Sequence, residues 1–180
     1  QTKIEDKDYF LYIGNLETRK GTDILLRSFE KYWIAGGEKK LLLAGNLREE
    51  KIKILVDRIS KKINTVEYLG YITEEKKDEL LAKCSCFIFP SRAEGFGIPI
   101  IEAMHYNKPI IASDLSIYTE IIGECIEKFS LKNEDELTEL MKKRQERVVD
   151  FEQYKKICDK YNPNALTEKL LAYFMEIINE

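Results

Sequence analysis

A single histidine, His105, serves the whole chain, and its four cysteines (Cys84, Cys86, Cys125, Cys158) are spaced neither as CxxC pairs nor as zinc ligands. A histidine relay or a His-based metal centre therefore has almost nothing to build on, no metal is expected, and the thiols read as reduced and cytoplasmic, with Cys84 and Cys86 on one face of a single strand. No apolar run approaches the roughly 20 residues that cross a bilayer, and no cleavable leader opens the sequence. The expected location is the cytoplasm, with any membrane contact peripheral, at the inner face, and made by a part of the protein outside this chain. Blocks of like charge are missing as well. Lysines alternate with glutamates around a net charge of −3, which removes duplex nucleic acid and anionic membrane from the default partners. Repeats, linkers and low-complexity tracts are also absent.

What is present suits one domain: 180 residues, 44% of them hydrophobic, are enough for a real core. Tyr9 to Gly14 reads as a short apolar strand, and Gly21-Thr22-Asp23 opens a helix carrying Leu25, Phe29 and Trp33 at four-residue spacing. Leu41 to Ala44 is a second buried strand, followed by a helix with Ile52, Leu55, Ile59 and Ile63 on one face. Val66 to Leu69 is a third, and Thr73-Glu74-Glu75 is a helix entry with a hydroxyl cap and acids in the first turn. Cys86 to Phe89, Ile110 to Ala112 and an edge strand within Cys125 to Phe129 complete the set. Strands alternating with helices predict an α/β fold with a doubly wound, mainly parallel, Rossmann-like sheet in three layers. The α/β core is expected over residues 1–130 and C-terminal helices over 131–180: a charged helix from Glu134 to Val149, helical character from Phe151 to Tyr161, and a last helix after Asn162-Pro163 with Leu166, Leu170, Phe174 and Ile178 inward. Gln1 stands almost directly before a core strand, so the chain is expected to be a fragment of a longer protein.

The stretch from Pro90 to Met104 organises the rest. Pro90 cannot donate to the ladder of the preceding strand, so the chain leaves the sheet there. Gly95 and Gly97 allow a sharp turn and close approach to a ligand, Pro99 suits a helix start, and the free amides of that start attract anions. Glu94 and Glu102 flank these amides and can accept from hydroxyls. A ligand with both phosphate and hydroxyls fits the pattern. The seven intervening residues are not themselves diagnostic, since Glu30 and Glu38 repeat the spacing. Glu102 also reads as a solvated carboxylate favoured by the helix dipole, and Glu94 as a surface group. Lys20 is either solvated or a point charge for a phosphate, and Phe96 is either a loop hydrophobe or a wall of a sugar pocket. Gly14 to Gly21, Gly45-Asn46 and Pro90 to Gly97 all follow strand ends, where ligands of such sheets bind, so they are expected to share one crevice.

Taken in order, Gly14-Asn15-Leu16 with Lys20-Gly21, Leu43-Ala44-Gly45, Leu69-Gly70-Tyr71, Phe89-Pro90-Ser91, Glu94-Gly95-Phe96-Gly97-Ile98-Pro99, Glu102-Ala103-Met104 and Pro109 to Ser113 resemble the family-4 retaining glycosyltransferases. More narrowly, they resemble the C-terminal, donor-binding half of the two-domain GT-B fold. The resemblance implies a nucleotide-diphosphate sugar, UDP- or GDP-linked, as donor substrate, with no resident cofactor and no metal. It implies Lys20 on the diphosphate and Glu94 on the transferred sugar as catalytic groups. Gly14, Asn15, Ile72, Gly95, Phe96, Gly97, Ile98 and Glu102 complete the binding set, Ile72 beside the base and Glu102 on the ribose. It also implies a retained anomeric configuration, an N-terminal acceptor domain absent from this chain, and little transfer by the isolated piece. Cell-surface polysaccharide or glycolipid synthesis is the expected setting. One departure stands out: the family usually carries arginine where this chain has Asn15, and Arg19 and Arg92 are the candidates to make up the charge. That departure keeps open a non-catalytic sugar-nucleotide-binding or scaffold role. A sugar-nucleotide epimerase and a glycoside hydrolase using Glu94 and Glu102 remain as further alternatives.

Overall fold

The computed structural model describes residues 8–143 and 149–162. Strands β1 (Tyr9–Ile13), β2 (Lys40–Ala44), β3 (Val66–Gly70), β4 (Cys86–Phe89), β5 (Ile110–Ser113) and β6 (Glu127–Phe129) form one six-stranded sheet in the order β3-β2-β1-β4-β5-β6. Every pairing is parallel. Helices α1 (Thr22–Ile34), α2 (Glu50–Lys62), α3 (Glu74–Lys83), α4 (Ile98–His105), α5 (Ser116–Ile122), α6 (Glu134–Lys142) and α7 (Phe151–Lys160) complete the described chain. The predicted α/β, doubly wound sheet is the observed one.

Alternation along the strands divides the core in two. Phe10 and Tyr12 of β1, Leu41 and Leu43 of β2, and Cys86 and Ile88 of β4 meet Leu25 and Phe29 of α1, Ile52 and Val56 of α2, and Leu137 and Met141 of α6. Tyr9 and Leu11, Phe87 and Phe89 meet Leu80 and Leu81 of α3, Ile100 and Met104 of α4, Tyr118 of α5 and Ile157 of α7 on the other face. With both faces covered, strands such as Cys86–Phe89 are buried throughout and read as continuous apolar runs.

Three expectations are corrected. Trp33 is 37% exposed, and Tyr32, 6% exposed, takes the inward position of α1. A strict four-residue step overshoots a helical turn by about 40°, so the second step from Leu25 rotates the side chain off the buried stripe and a three-residue step to position 32 replaces it. Cys84 and Cys86 do not share a strand face: Cys84 ends α3 and packs on one side of the sheet, while Cys86 opens β4 and packs on the other. The helix expected from Glu134 to Val149 is helical to Lys142, and residues 144–148 lie outside the described set. The last predicted helix, with Leu166, Leu170, Phe174 and Ile178, also lies outside it.

Candidate functional site

The strand order reverses direction between β1 and β4, which opens a crevice at the carboxyl ends of those strands. Three loops close around it. Beyond β1 the parallel pairing to the β2 side continues, with Gly14 N donating to Ala44 O at 3.0 Å, Leu16 N to Asn46 O at 2.8 Å and Arg48 N to Leu16 O at 3.1 Å. Residues 14–16 and 45–47 are thereby zipped together. On the other side, Arg92 N donates to Arg19 O at 2.8 Å, joining the loop after β1 to the loop after β4. Gly21 makes that junction possible. Its φ is +70°, and a Cβ there would stand 1.9 Å from the carbonyl oxygen of Pro90, so any side chain would drive the two loops apart. The three glycine-bearing segments do share one end of the sheet.

Lys20 ends the short 3-10 turn Thr18–Lys20 and its Nζ lies 2.5 Å from Glu94 Oε1. The side chains are 17% and 9% exposed. Ser91 Oγ donates to the same Glu94 oxygen at 2.6 Å, and the Ser91 carbonyl accepts from the buried Ser113 Oγ at the end of β5. Lys20 Nζ also stands 5.7 Å from the centre of the Phe89 ring. A lysine and a carboxylate from different loops thus meet over an apolar floor, with one carboxylate oxygen taking two donors.

Next along the chain, Gly97 caps α4 with φ +89°, a Cβ there would come 2.8 Å from the Tyr118 ring, and Pro99 occupies the first turn. The unpaired amides of a helix start point towards the loop. Gly95 is exposed and Ile98 is 62% exposed, while Phe96 packs edge-on against Tyr161 with centroids 5.1 Å apart. Glu102 lies further along α4 and is held from outside the loop: Lys77 Nζ of α3 donates to its Oε1 at 2.7 Å. An open groove of about 760 Å³ runs past Phe96, Ile98, Ile101, Glu102 and Tyr161. Ile72 sits half-buried in the β3 to α3 turn, packed on the same hydrophobic layer as Phe96.

Asn15 is partly exposed, and its carbonyl accepts from Tyr12 Oη at 2.7 Å. Of the two arginines expected to make up for it, Arg92 is committed elsewhere. Its guanidinium grips both oxygens of Asp23, at 2.6 and 2.8 Å, and also donates to Thr18 O. Asp23 in turn accepts from Arg27, which holds both oxygens of Glu134 at 2.5 and 3.0 Å. Burial alone would push the Asp23 carboxyl up, but the hydrogen bonds and charges of Arg92 and Arg27 outweigh it and hold Asp23 below the usual range. Arg19 differs: its side chain is 54% exposed and reaches Glu17 Oε1 at 2.8 Å and Ala93 O at 3.3 Å, bridging the two loops at the mouth.

Sequence reading missed Ser91 as a donor to Glu94, Lys77 as the partner of Glu102, and the Asp23 to Arg92 lock. The last two are contacts between elements far apart in the chain, and the first lies within an irregular loop, so periodicity carries no signal for any of them. The Thr73 cap and the acids of α3 were legible, but not which face of α3 turns towards α4.

Among the described residues no cluster of His, Cys, Asp and Glu is placed to hold a metal ion, and no helix is long and apolar enough to cross a membrane.

A family model described as glycosyl transferases group 1 matches residues 1–164. The O-antigen chain mannosyltransferase B of Escherichia coli is 32% identical over 120 residues, covering 65% of this chain and 31% of that protein. In structure, the pneumococcal O-GlcNAc transferase GtfA, solved with UDP and GlcNAc, superposes with a TM-score of 0.76 at 14% identity over 99% of this chain and 37% of its own. A variant of TarM from S. aureus, solved with UDP among its ligands, gives 0.78 at 18% identity over 100% of this chain and 37% of its own. At these identities the two structures show a common fold. The chain spans about a third of the length of each of these proteins.

Proposed function

The chain belongs to the glycosyl transferases group 1 family, and from that premise we propose that it is the donor-binding domain of a retaining glycosyltransferase. It binds a nucleoside-diphosphate sugar at the β1/β4 switch point and presents it to an acceptor hydroxyl held by a domain outside this chain. The single observation that carries the reading is the meeting of Lys20 and Glu94 across two loops, Glu94 lying in the loop that leads into α4. Lys20 and the α4 amides take up the negative charge that grows on the leaving diphosphate, so neither a metal nor a resident cofactor is required. Glu94, held by Ser91, accepts from a hydroxyl of the transferred sugar. Glu102 accepts from the ribose, Gly14 and Asn15 border the diphosphate, and Ile72 borders the base, with Gly95, Phe96, Gly97 and Ile98 lining the sugar and phosphate. UDP is bound by the two named structural neighbours, which supports a nucleotide donor of this class. A mannosyltransferase of O-antigen synthesis among the relatives supports cell-surface polysaccharide as the setting.

Calorimetric titration of UDP, GDP and ADP and their sugars into the chain tests the reading. One nucleotide diphosphate binding, and weakening sharply in Glu94→Gln with its sugar attached but not without it, is the expected result. Acceptor orientation supplies much of the rate and comes from outside this chain, so the isolated domain should transfer little. Robust transfer by it alone would refute the division of labour.

Asn15 motivates a second reading, a sugar-nucleotide-binding domain without turnover. Arg92 is locked to Asp23, so of the two nearby arginines only Arg19 has an exposed guanidinium at the mouth. In the full-length protein, Asn15→Arg separates the readings: a large gain in donor turnover marks a weakened site, and no gain marks compensation.

A further inference from the structure

Both acidic residues of the proposed donor site carry a lysine on one oxygen. Glu94 Oε1 takes Lys20, and Glu102 Oε1 takes Lys77. The second pair is the less expected, because Lys77 lies on α3, on the far side of the β4 strand in sequence. Lys77 is only 16% exposed and is pinned at two points, to Glu102 at 2.7 Å and to Glu74 at 2.6 Å. Burial alone would lower its affinity for the proton, yet the hydrogen bonds from both carboxylates raise it, so the ammonium charge is fixed. A nucleoside diphosphate is itself an anion, and a bare carboxylate beside it would repel it. A lysine on that carboxylate cancels the repulsion, and by occupying one oxygen it fixes where the other points.

We propose that Lys77 is a positioning residue for Glu102: it holds Oε1 and balances the charge, so that Oε2 is presented to the ribose hydroxyls of a nucleoside diphosphate. This rests on the donor-site reading above. An ion pair that merely ties α3 to α4 is the competing account, and Glu74 separates the two. Glu74 is 78% exposed and contacts the same ammonium, three residues away on the same helix.

The test is calorimetry on the full chain with UDP and GDP and with their 2′,3′-dideoxy analogues. The native chain should prefer the ribonucleotide. Lys77→Met should reduce that preference about fivefold, the size expected for a half-buried ion pair of about 1 kcal/mol, almost entirely through weaker binding of the ribonucleotide. Lys77→Arg should restore it, and Glu74→Gln should leave it as in the native chain. A native preference in Lys77→Met, or an equal loss in Glu74→Gln, overturns the proposal while leaving the donor site intact. If Glu102→Gln keeps the native preference, or the native chain has none, the ribose contact itself fails and the role of Lys77 falls with it.

Discussion

Two groups of opposite charges flank the loop that follows β1, and they are built in different ways. Asp23, Arg92, Arg27 and Glu134 form a chain of forks: Arg92 meets both oxygens of Asp23, and Arg27 meets both oxygens of Glu134. Lys20, Glu94 and Ser91 form a single-point contact, in which one ammonium and one hydroxyl share one carboxylate oxygen. An arginine fork matched to a carboxylate is rigid and specific, whereas a lysine is a point charge on a flexible stem. The first group fastens α1 to α6 and to the loop after β4. The second leaves a cation that can turn to a phosphate. On the proposed reading, the difference teaches that charge density does not mark the site and the kind of pairing does.

Substitutions that separate stability from turnover sharpen this contrast. On the proposed reading, the largest effect is expected from Lys20→Ala in the full-length protein, where loss of a preorganised cation from the leaving group should lower kcat on the order of 10²- to 10³-fold. Ser91 still donates to Glu94 in that variant, so its unfolding midpoint in urea should fall less than that of Arg92→Leu, and a midpoint that collapses with activity would erase the distinction. Arg92→Leu should do the reverse. Removing the fork leaves Asp23 partly buried with Arg27 as its remaining cation and should cost about 2 kcal/mol in urea unfolding, with turnover reduced far less than by Lys20→Ala. The same cluster predicts acid sensitivity. Asp23 and Glu134 are both held below their ordinary values of 3.8 and 4.5, Asp23 against its burial and Glu134 chiefly by the Arg27 hydrogen bond. Carboxylates depressed in the folded state contribute stability that is present above those values and is lost as pH falls through and below them. Unfolding free energy should therefore fall from pH 5 downward, and the slope should be visibly shallower in Arg92→Leu. The smallest effect belongs to Trp33→Ser, within about 0.5 kcal/mol of native stability, because Trp33 lies on the outer side of α1.

The sheet was legible because its strands are buried on both faces and read as apolar runs between helices of regular spacing; Cys86 to Phe89 needed no partner to be recognised. The crevice was legible in outline, since Gly21, Gly45 and Gly97 announce sharp turns at strand ends, and the loops they sit in converge as expected. What sequence could not carry was rotation and partnership. A four-residue rhythm put Trp33 inside where Tyr32 belongs. Cys84 and Cys86, two residues apart, were assigned to one face because the end of α3 between helix and strand has no composition signal. Arg92 looked as available as Arg19, and only the fold shows that Asp23, 69 positions away, already holds it.

The most direct measurement is nucleotide binding by the Lys20→Ala chain. Titration of UDP and GDP into native and variant protein should show at least tenfold weaker affinity in the variant, with the variant still folded at the titration temperature. Native affinity in Lys20→Ala would contradict the account, because the diphosphate would then be held somewhere other than between that lysine and the start of α4.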